Sequence, residues 1–264
     1  MASDLEKRMK ENYENVSKTG LVRRMPVIIR LDGRAFHTFT KGFDKPFDER
    51  LMDAMQNTMK YLCENTMGCV LGYVQSDEIS LLLIDYKKLD SQAFFDYQVQ
   101  KLCSITASMA TLAFNRTFSF QVLDIIMDVH CTKNKVITPN DRQLVSAYEK
   151  AIKSGAMFDS RCFNVPKEEV CNYFLSRQID AARNSVQMVG QANFSHSQLH
   201  KLSNNQIQEK LFTEKGINWN DFPNRCKRGS CCIKTDDGWM IDNDIPMFKG
   251  EDRNYIEALI EAEE

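Results

Sequence analysis

Two acidic segments of this chain have the residue types and the setting needed to bind divalent cations. In the first, Asp32 follows the mostly apolar segment Val-Ile-Ile-Arg-Leu at residues 27–31 and stands directly before Gly33. Glycine lets a ligand come close to the backbone, although an Asp-Gly pair alone is also a common turn. In the second, Asp77 and Glu78 lie between two apolar runs, and the connection is so short that only a hairpin turn can join them. Carboxylates crowded at a hairpin tip repel each other unless a cation neutralises their charge.

The elements around these acids predict how they are positioned. Alternating apolar residues predict a strand over residues 27–32, and strands over 68–74 and 79–84 frame the hairpin. Between them, apolar side chains at helical spacing predict a helix whose buried face is formed by Phe47, Leu51, Met55, Met59 and Leu62. A second long helix is predicted over residues 91–116. The order strand, helix, strand, strand, helix is the first half of a ferredoxin-like arrangement.

That arrangement is the core of polymerase palms, in which two carboxylates from adjacent strands hold two magnesium ions for nucleotidyl transfer. The sequence therefore predicts an α+β fold with a polymerase-palm-like, ferredoxin-like antiparallel sheet, helices on one face of it, and a helical C-terminal region. We expect a palm-like catalytic domain over residues 1–165, and over residues 166–264 a helical and β region that completes the catalytic unit.

The remaining segments have weaker patterns. Residues 4–18 predict a surface helix that packs on the core through Leu5, Met9, Tyr13 and Val16. Residues 122–129 fit either a strand or a helix. Further strands are predicted over 156–165 and 231–234, and further helices over 145–153, 167–189, 197–202 and 205–212.

The composition is that of an ordinary globular protein. Of the 264 residues, 43% are hydrophobic and 27% are charged, and no apolar run approaches the roughly 20 residues needed to span a bilayer. The polar N-terminus predicts no signal peptide, and nine scattered cysteines, an odd number, favour reduced thiols in the cytoplasm. His196 and His200 have metal-ligand spacing, but the sequence shows no third ligand nearby, which disfavours a zinc site.

Charge gives no direct indication of a nucleic acid partner. The formal net charge is −2, so any such binding would depend on a local basic patch. Residues 225–228 form the densest basic cluster, which fits a solvated turn as well as it fits a phosphate contact.

Three motifs carry a more specific signal. They are the segment Arg30-Leu31-Asp32-Gly33-Arg34-Ala35-Phe36-His37, the pair Lys45-Pro46 and the hairpin tip Gln75-Ser76-Asp77-Glu78. Together they resemble the tRNA-histidine guanylyltransferase superfamily, the 3′-to-5′ RNA polymerases that add nucleotides to the 5′ end of tRNA. The resemblance covers about the first 115 residues well and continues more weakly beyond them. It implies a nucleotidyltransferase that uses magnesium, ATP and GTP or another nucleoside triphosphate, and that acts on tRNA as a homotetramer.

The resemblance also implies roles for individual residues. Asp32, the backbone carbonyl of Gly33, and Asp77 would hold two magnesium ions, with Glu78 as a supporting catalytic carboxylate. If the hairpin is extended at Asp77 and Glu78, their side chains point in opposite directions, which gives one direct ligand and one helper. The nucleotide would be bound by Asp32, Gly33, Arg34, Ala35, Phe36, His37, Lys45, Ser76 and Asp77. Contacts with tRNA would come from Arg183, Asn184, Lys227 and Arg228.

One segment departs from the family pattern. Members that guanylate histidine tRNA resemble one another in a His-Ile-Asn-Asn-Leu-Tyr-Asn segment, whereas residues 182–188 here read Ala-Arg-Asn-Ser-Val-Gln-Met. The missing histidine points to the Thg1-like branch, which resembles a template-directed polymerase that repairs 5′-truncated tRNA. Three alternatives stay open: a tRNA-histidine guanylyltransferase proper, a nucleotidyl cyclase-like palm enzyme, and a tRNA-binding module without catalysis. Intact Asp32, Asp77 and Lys45 argue against the last of these.

Overall fold

The computed structural model of the chain describes residues 3–131 and 138–261. The strands are β1 Val27–Gly33, β2 Cys69–Gln75, β3 Glu78–Leu83, β4 Phe158–Asn164, β5 Ser230–Thr235 and β6 Gly238–Asp242. The α-helices are α1 Asp4–Met9, α2 Phe36–Phe39, α3 Glu49–Asn65, α4 Val99–Cys131, α5 Pro139–Ser154, α6 Lys167–Asn193, α7 His196–Leu199, α8 Asn204–Lys215, α9 Asn224–Arg228 and α10 Asn254–Glu257. In the described part of the chain, none of these helices is both long enough and apolar enough to span a membrane.

The strands form one antiparallel sheet in the order β4-β1-β3-β2-β5-β6. Its first four strands have the ferredoxin-like order, with α3 between β1 and β2 and α4 between β3 and β4. Because β3 runs antiparallel to both neighbours, β1 and β2 point in the same direction and end at the same edge of the sheet. The ferredoxin-like, palm-type sheet predicted from the sequence is therefore confirmed.

Alternating side chains of β1 face two separate hydrophobic cores. Val27, Ile29 and Leu31 are fully buried in the core that α3, α4 and α5 share. Ile28 lies in the other core with Phe174 of α6. The palm helices thus cover one face, as predicted, and the C-terminal region covers the opposite face. Burial of each such side chain contributes about 1.5–3 kcal/mol, so both layers stabilise the strand that carries Asp32.

The N-terminal helix does not pack on the core, and that prediction was wrong. α1 ends at Met9, a π-helical turn follows over Lys10–Glu14, and neither segment contains a buried residue. The predicted stripe of Leu5, Met9, Tyr13 and Val16 is exposed. Helical periodicity shows only that one side of a helix is apolar, and here the two faces of the sheet are already covered by other helices.

The predicted boundaries of the second long helix were also wrong. Phe95, Asp96 and Tyr97 have left-handed backbone conformations with φ near +50°. Such residues interrupt an α-helix, so α4 begins only at Val99. α4 then continues to Cys131, so residues 122–129 are helical and the strand alternative is excluded.

The C-terminal region extends the same sheet through a hairpin of β5 and β6. β5 pairs with β2, from Leu71 opposite Ile233 to Val74 opposite Ser230. The sequence predicted β5 but missed β6, although the pair Asp237-Gly238 is a typical hairpin turn signal. The sheet thus continues across the domain boundary that we placed at residue 165.

Candidate active site

The structure brings Asp32 and Asp77 to the same edge of the sheet. β1 and β3 pair so that Asp32 stands opposite Glu78. One residue further along β1, the Gly33 amide donates a hydrogen bond to the carbonyl oxygen of Asp77, with 3.0 Å between N and O. The register explains this contact, because the end of β1 runs alongside the turn between β2 and β3.

That turn consists of Ser76 and Asp77. Ser76 has a φ of +50°, a left-handed conformation that is uncommon outside glycine and often marks functional loops. Its Oγ donates a hydrogen bond to Oδ1 of Asp77 at 3.0 Å. Only Glu78 belongs to the strand. We expected opposite side-chain directions for Asp77 and Glu78 if the backbone is extended at both residues. Asp77 lies in the turn, so this condition is not met.

The surroundings of Asp77 suit a cation. Burial raises the pKa of its carboxyl, the Ser76 hydroxyl opposes this shift, and the nearby charge of Asp32 adds to it. In the described residues, no group of three or more His, Cys, Asp or Glu side chains could hold a metal on its own. Magnesium commonly binds through one or two carboxylates together with substrate phosphates. Asp32, Asp77 and the Gly33 carbonyl provide hard oxygen donors of this kind, so the residues fit magnesium.

Glu78 has a different setting from its neighbour. Its side chain is buried between two arginines: it forms an ion pair with Arg30 of β1, and its Oε1 lies 3.0 Å from Nε of Arg177 on α6. Burial raises the pKa of the Glu78 carboxyl, although both arginines lower it. Because two arginine side chains already neutralise this carboxylate, it suits the predicted supporting role better than the role of a metal ligand.

A cavity of about 660 Å³ opens beside Asp77 and Gly33, within the size range of ligand pockets. It is lined by the predicted residues Gly33, Ala35, Phe36, His37, Lys45, Ser76 and Asp77. Asp32 and Arg34 were also predicted to bind the nucleotide, but they are not part of its lining. The Arg34 amide donates instead to the Met157 carbonyl at 2.8 Å, which fixes the loop against the start of β4.

The loop after β1 presents backbone donors to this cavity. Gly33 has no room for a side chain, because a Cβ there would lie 2.3 Å from the Phe36 ring. Ala35 has a left-handed φ of +55°, which directs the chain into α2. The amides of Gly33 and Arg34 already bind protein carbonyls, whereas those of Ala35, Phe36 and His37 have no protein partner among the described residues. These three amides are free to bind an anion.

Sequence reasoning missed several lining residues. Met188 and Gln191 come from α6, and Thr40 and Asp48 from the segment between β1 and α3. Asp48 caps α3 by accepting a hydrogen bond from the Leu51 amide at 2.9 Å. In the sequence it was interpreted only as a helix N-terminal residue, so its position beside the cavity was missed. No local pattern could have revealed Met188 and Gln191, because their place depends on how α6 crosses the sheet.

The predicted tRNA-binding residues lie on α6 and α9. Arg183 has 67% of its side chain exposed and forms an ion pair with Asp180 at 2.8 Å. Asn184 lines a smaller cavity of about 80 Å³ that α6 shares with α3 and α9. Lys227 donates to the Asn220 carbonyl and lies over the Trp219 ring, and Arg228 donates to the Asn224 side chain. Burial lowers the pKa of Lys227.

The basic cluster over residues 225–228 is partly structural. Arg225 lies 2.7 Å from Oε2 of Glu49 and 2.8 Å from Oδ1 of Asp53, both on α3. It therefore holds α9 against α3, and its guanidinium is not available to a phosphate.

Comparison with known proteins identifies the family. The family model described as "Thg1: tRNAHis guanylyltransferase" matches residues 6–166. The chain belongs to the Thg1 family. Members of this family are tRNA guanylyltransferases, so this Thg1-family chain is a nucleotidyltransferase. The family suggested by the three motifs is confirmed.

Two curated relatives show the range of the Thg1 family. The chain is 29% identical to "Uncharacterized protein R259" of Acanthamoeba polyphaga mimivirus, over 74% of the chain and 65% of that protein. It is 25% identical to the tRNA(His) guanylyltransferase of Schizosaccharomyces pombe, over 85% of the chain and 78% of that enzyme.

Solved structures agree with the fold over nearly the whole chain. A bacterial tRNA(His) guanylyltransferase (Thg1)-like protein in complex with ATP has a TM-score of 0.83 and 43% identity, covering 97% of this chain and 99% of that one. A structure of such a bacterial protein with GTP has a TM-score of 0.73 and 38% identity, with the same coverage. The Saccharomyces cerevisiae enzyme, with a TM-score of 0.60 and 23% identity over 87% of this chain and 95% of that one, shares the fold.

Proposed function

We propose that this Thg1-family enzyme adds nucleotides in the 3′-to-5′ direction to the 5′ end of tRNA and repairs truncated ends by copying the opposite strand. One observation carries the proposal: the end of β1, with Asp32 and Gly33, lies against Asp77, and Asp77 lines a cavity large enough for a nucleotide. The Gly33 amide donates to the Asp77 carbonyl, and the Asp32 charge acts on the Asp77 carboxyl. A carboxylate pair next to a polyphosphate site is the arrangement that two-metal nucleotidyl transfer requires.

The substrates of this reaction are ATP and GTP or another nucleoside triphosphate. Support comes from the bacterial Thg1-like protein, for which structures with ATP and with GTP are known. In this chain, Lys45 and the free amides of residues 35–37 would bind the triphosphate in the cavity.

The residues of the site would have separate roles in metal binding and in support of the metal ligands. Asp32, Asp77 and the Gly33 carbonyl would hold two magnesium ions, and Glu78 would keep its two arginines in place. When bound, the ions lower the pKa of the attacking 3′-hydroxyl and neutralise charge on the triphosphate. The incoming nucleotide's 3′-hydroxyl attacks the α-phosphorus of an activated tRNA 5′ end, and that activating group leaves. The residues described above orient both partners for this step.

Repair is favoured over histidine-tRNA guanylylation by residues 182–188. The family pattern has a histidine in this segment, whereas this chain has no histidine anywhere between residues 131 and 195. Two residues of this segment form hydrogen bonds within the protein: Ser185 accepts one from Trp219, and Gln187 donates one to Asn204. Base choice would then come from pairing with the template strand.

We further propose that the enzyme is a homotetramer in the cytoplasm. The outer side of α4 exposes the apolar residues Leu112, Phe120, Leu123 and Met127, a surface that a second copy would cover. Eight of the nine cysteines, those whose side chains the structure describes, are free thiols, which suits a reducing compartment. Light scattering should give about four times the 30.5 kDa of one chain, and a monomeric mass would contradict the tetramer.

The decisive experiment offers tRNA that lacks its first nucleotide, with ATP for activation and each labelled nucleoside triphosphate in turn. We expect addition only of the nucleotide complementary to the opposite base, and none with D32A or D77A. Addition of guanosine to histidine tRNA regardless of the template would instead support the guanylyltransferase proper. A cyclic product from nucleotide alone would support a cyclase, and RNA binding without incorporation would support the non-catalytic module.

A further inference from the structure

Arg177 of α6 connects the helix to the turn that carries Asp77. Its side chain is only 15% exposed. Nε lies 3.0 Å from Oε1 of Glu78, and Nη2 lies 2.6 Å from Oδ2 of Asp180. One guanidinium thus contacts a carboxylate of the sheet and a carboxylate of its own helix.

The Glu78 end of this connection adjoins the proposed active site. Glu78 follows Asp77 directly in the chain and stands opposite Asp32 in the sheet. Its side chain is 5% exposed, and the ion pair with Arg30 holds it from β1. Any movement of Glu78 would therefore move the turn of Ser76 and Asp77, which forms one wall of the nucleotide cavity.

The helix end of the connection leads to another wall of that cavity. Met188 follows Arg177 by 11 residues, about three full helical turns, so both project from the same side of α6. Asn184 and Gln191 lie on this side as well. Met188 and Gln191 line the nucleotide cavity, and Met188 and Asn184 line the smaller one.

We propose that Arg177 is a positioning residue for nucleotide addition, which holds this side of α6 against Glu78 and the adjoining Ser76–Asp77 turn and so sets the spacing of two cavity walls. Arginine suits this task because its planar guanidinium forms an ion pair with Glu78 through Nε and donates a hydrogen bond to Asp180 from Nη2, whereas lysine offers one compact charge. The role in catalysis rests on the proposed function, but the role in nucleotide binding can be measured without any reaction.

The test compares R177M with a matched variant, R253M. Arg253 is also an arginine that connects to α6: its Nη1 donates to Asn172 at 2.8 Å, and its Nε forms an ion pair with Glu257 at 2.8 Å. Neither Arg253 nor its partners line the nucleotide cavity. Both variants and the wild-type chain are titrated with a fluorescent GTP analogue, and their melting temperatures are recorded.

We expect R177M to bind the analogue about tenfold more weakly and to raise the KM for nucleotide more than it lowers kcat, because the cavity walls lose their fixed spacing. R253M should bind the nucleotide as the wild type does, even if its melting temperature falls. R177K should recover part of the affinity, since lysine can contact one of the two carboxylates. If R177M does not fold, R177K serves as the test variant and should still bind more weakly than R253M.

A double-mutant cycle then tests whether Arg177 acts through Glu78. The double variant R177M/E78Q should have the same nucleotide affinity as whichever single variant, R177M or E78Q, binds with lower affinity. Unchanged affinity in R177M, equal losses in R177M and R253M, or losses that multiply in the double variant would each overturn the proposal. A wild-type chain that binds nucleotide but adds none to truncated tRNA would refute the proposed function and leave the binding role of Arg177 intact.

Discussion

At the scale of residues, adjacent acids acquire different roles from different surroundings. Asp77 lies half-buried in a turn beside a cavity, and Glu78 lies buried between two arginines. The family resemblance assigned them different roles, as a metal ligand and a supporting carboxylate. Their neighbours in space give the physical reason for this difference between a candidate metal ligand and a supporting carboxylate.

D77N should abolish nucleotide addition without destabilising the fold. Burial raises the folded-state pKa of Asp77, so protonated Asp77 stabilises the fold at low pH, and this contribution is lost as pH rises through the folded pKa. At neutral pH the ionised side chain is therefore unfavourable in the folded chain, and asparagine removes that charge. We expect an unchanged or higher melting temperature without magnesium and at least about a 100-fold lower kcat/KM.

Differential scanning fluorimetry and single-turnover incorporation measure the two effects of D77N. A variant that keeps most of its activity would refute the assignment of Asp77. Activity lost together with a clear drop in melting temperature would mean that Asp77 is structural.

Y148F should weaken the attachment of α5 to the start of α3. The Tyr148 hydroxyl is buried and donates a hydrogen bond to Oδ2 of Asp48 at 2.7 Å. Because the acceptor is a charged group, loss of this bond should cost about 1.5–3 kcal/mol of unfolding free energy, measured by urea denaturation. Y61F, at a partly exposed tyrosine of α3, is the control and should change stability by less than about 0.5 kcal/mol.

At the scale of elements, the junction between α9 and β5 depends on a glycine. Gly229 has a φ of +84°, and a Cβ there would lie 2.3 Å from the Val74 carbonyl oxygen. Gly238, in the β5–β6 turn, has a φ of +108° but no atom within 4 Å of its Cβ position. At both positions a side chain would be strained by the positive φ, but the two positions differ in the space around them.

G229A should therefore destabilise the chain more than G238A does. We expect about 1 kcal/mol for G238A from backbone strain alone, and about 3 kcal/mol for G229A because β2 or β5 must also shift. Urea denaturation of both variants gives the comparison. Equal losses would mean that the contact with Val74 relaxes at no cost.

At the scale of the whole molecule, a chain with a net charge of −2 must bind RNA through local positive residues. R183A should weaken tRNA binding a few-fold and reduce the slope of log affinity against log salt by about one, because Arg183 is exposed on α6. R142A, at an exposed arginine of α5 on the other side of the sheet, should leave the slope unchanged. Filter binding over a salt series measures both, and identical slopes for R183A and wild type would contradict the tRNA contact.

The local sequence encodes the ferredoxin-like part of the sheet and its acidic edge. The alternation in β1, the short connection before Glu78 and the apolar stripe of α3 are each encoded within a few neighbouring residues. Such local signals reflect backbone geometry and burial, which act over one strand or one helical turn. They were sufficient to predict the ferredoxin-like order and to bring Asp32 and Asp77 together.

The tertiary structure decided the features that depend on distant contacts. The two arginines around Glu78, the cavity wall from α6 and the ion pairs of Arg225 join residues far apart in sequence. The exposed position of α1 was decided in the same way, because an apolar stripe needs an uncovered surface to pack against. Hydrophobic periodicity shows which side of a helix or strand is apolar, but not which element packs against that side. The packing partner depends on the tertiary fold.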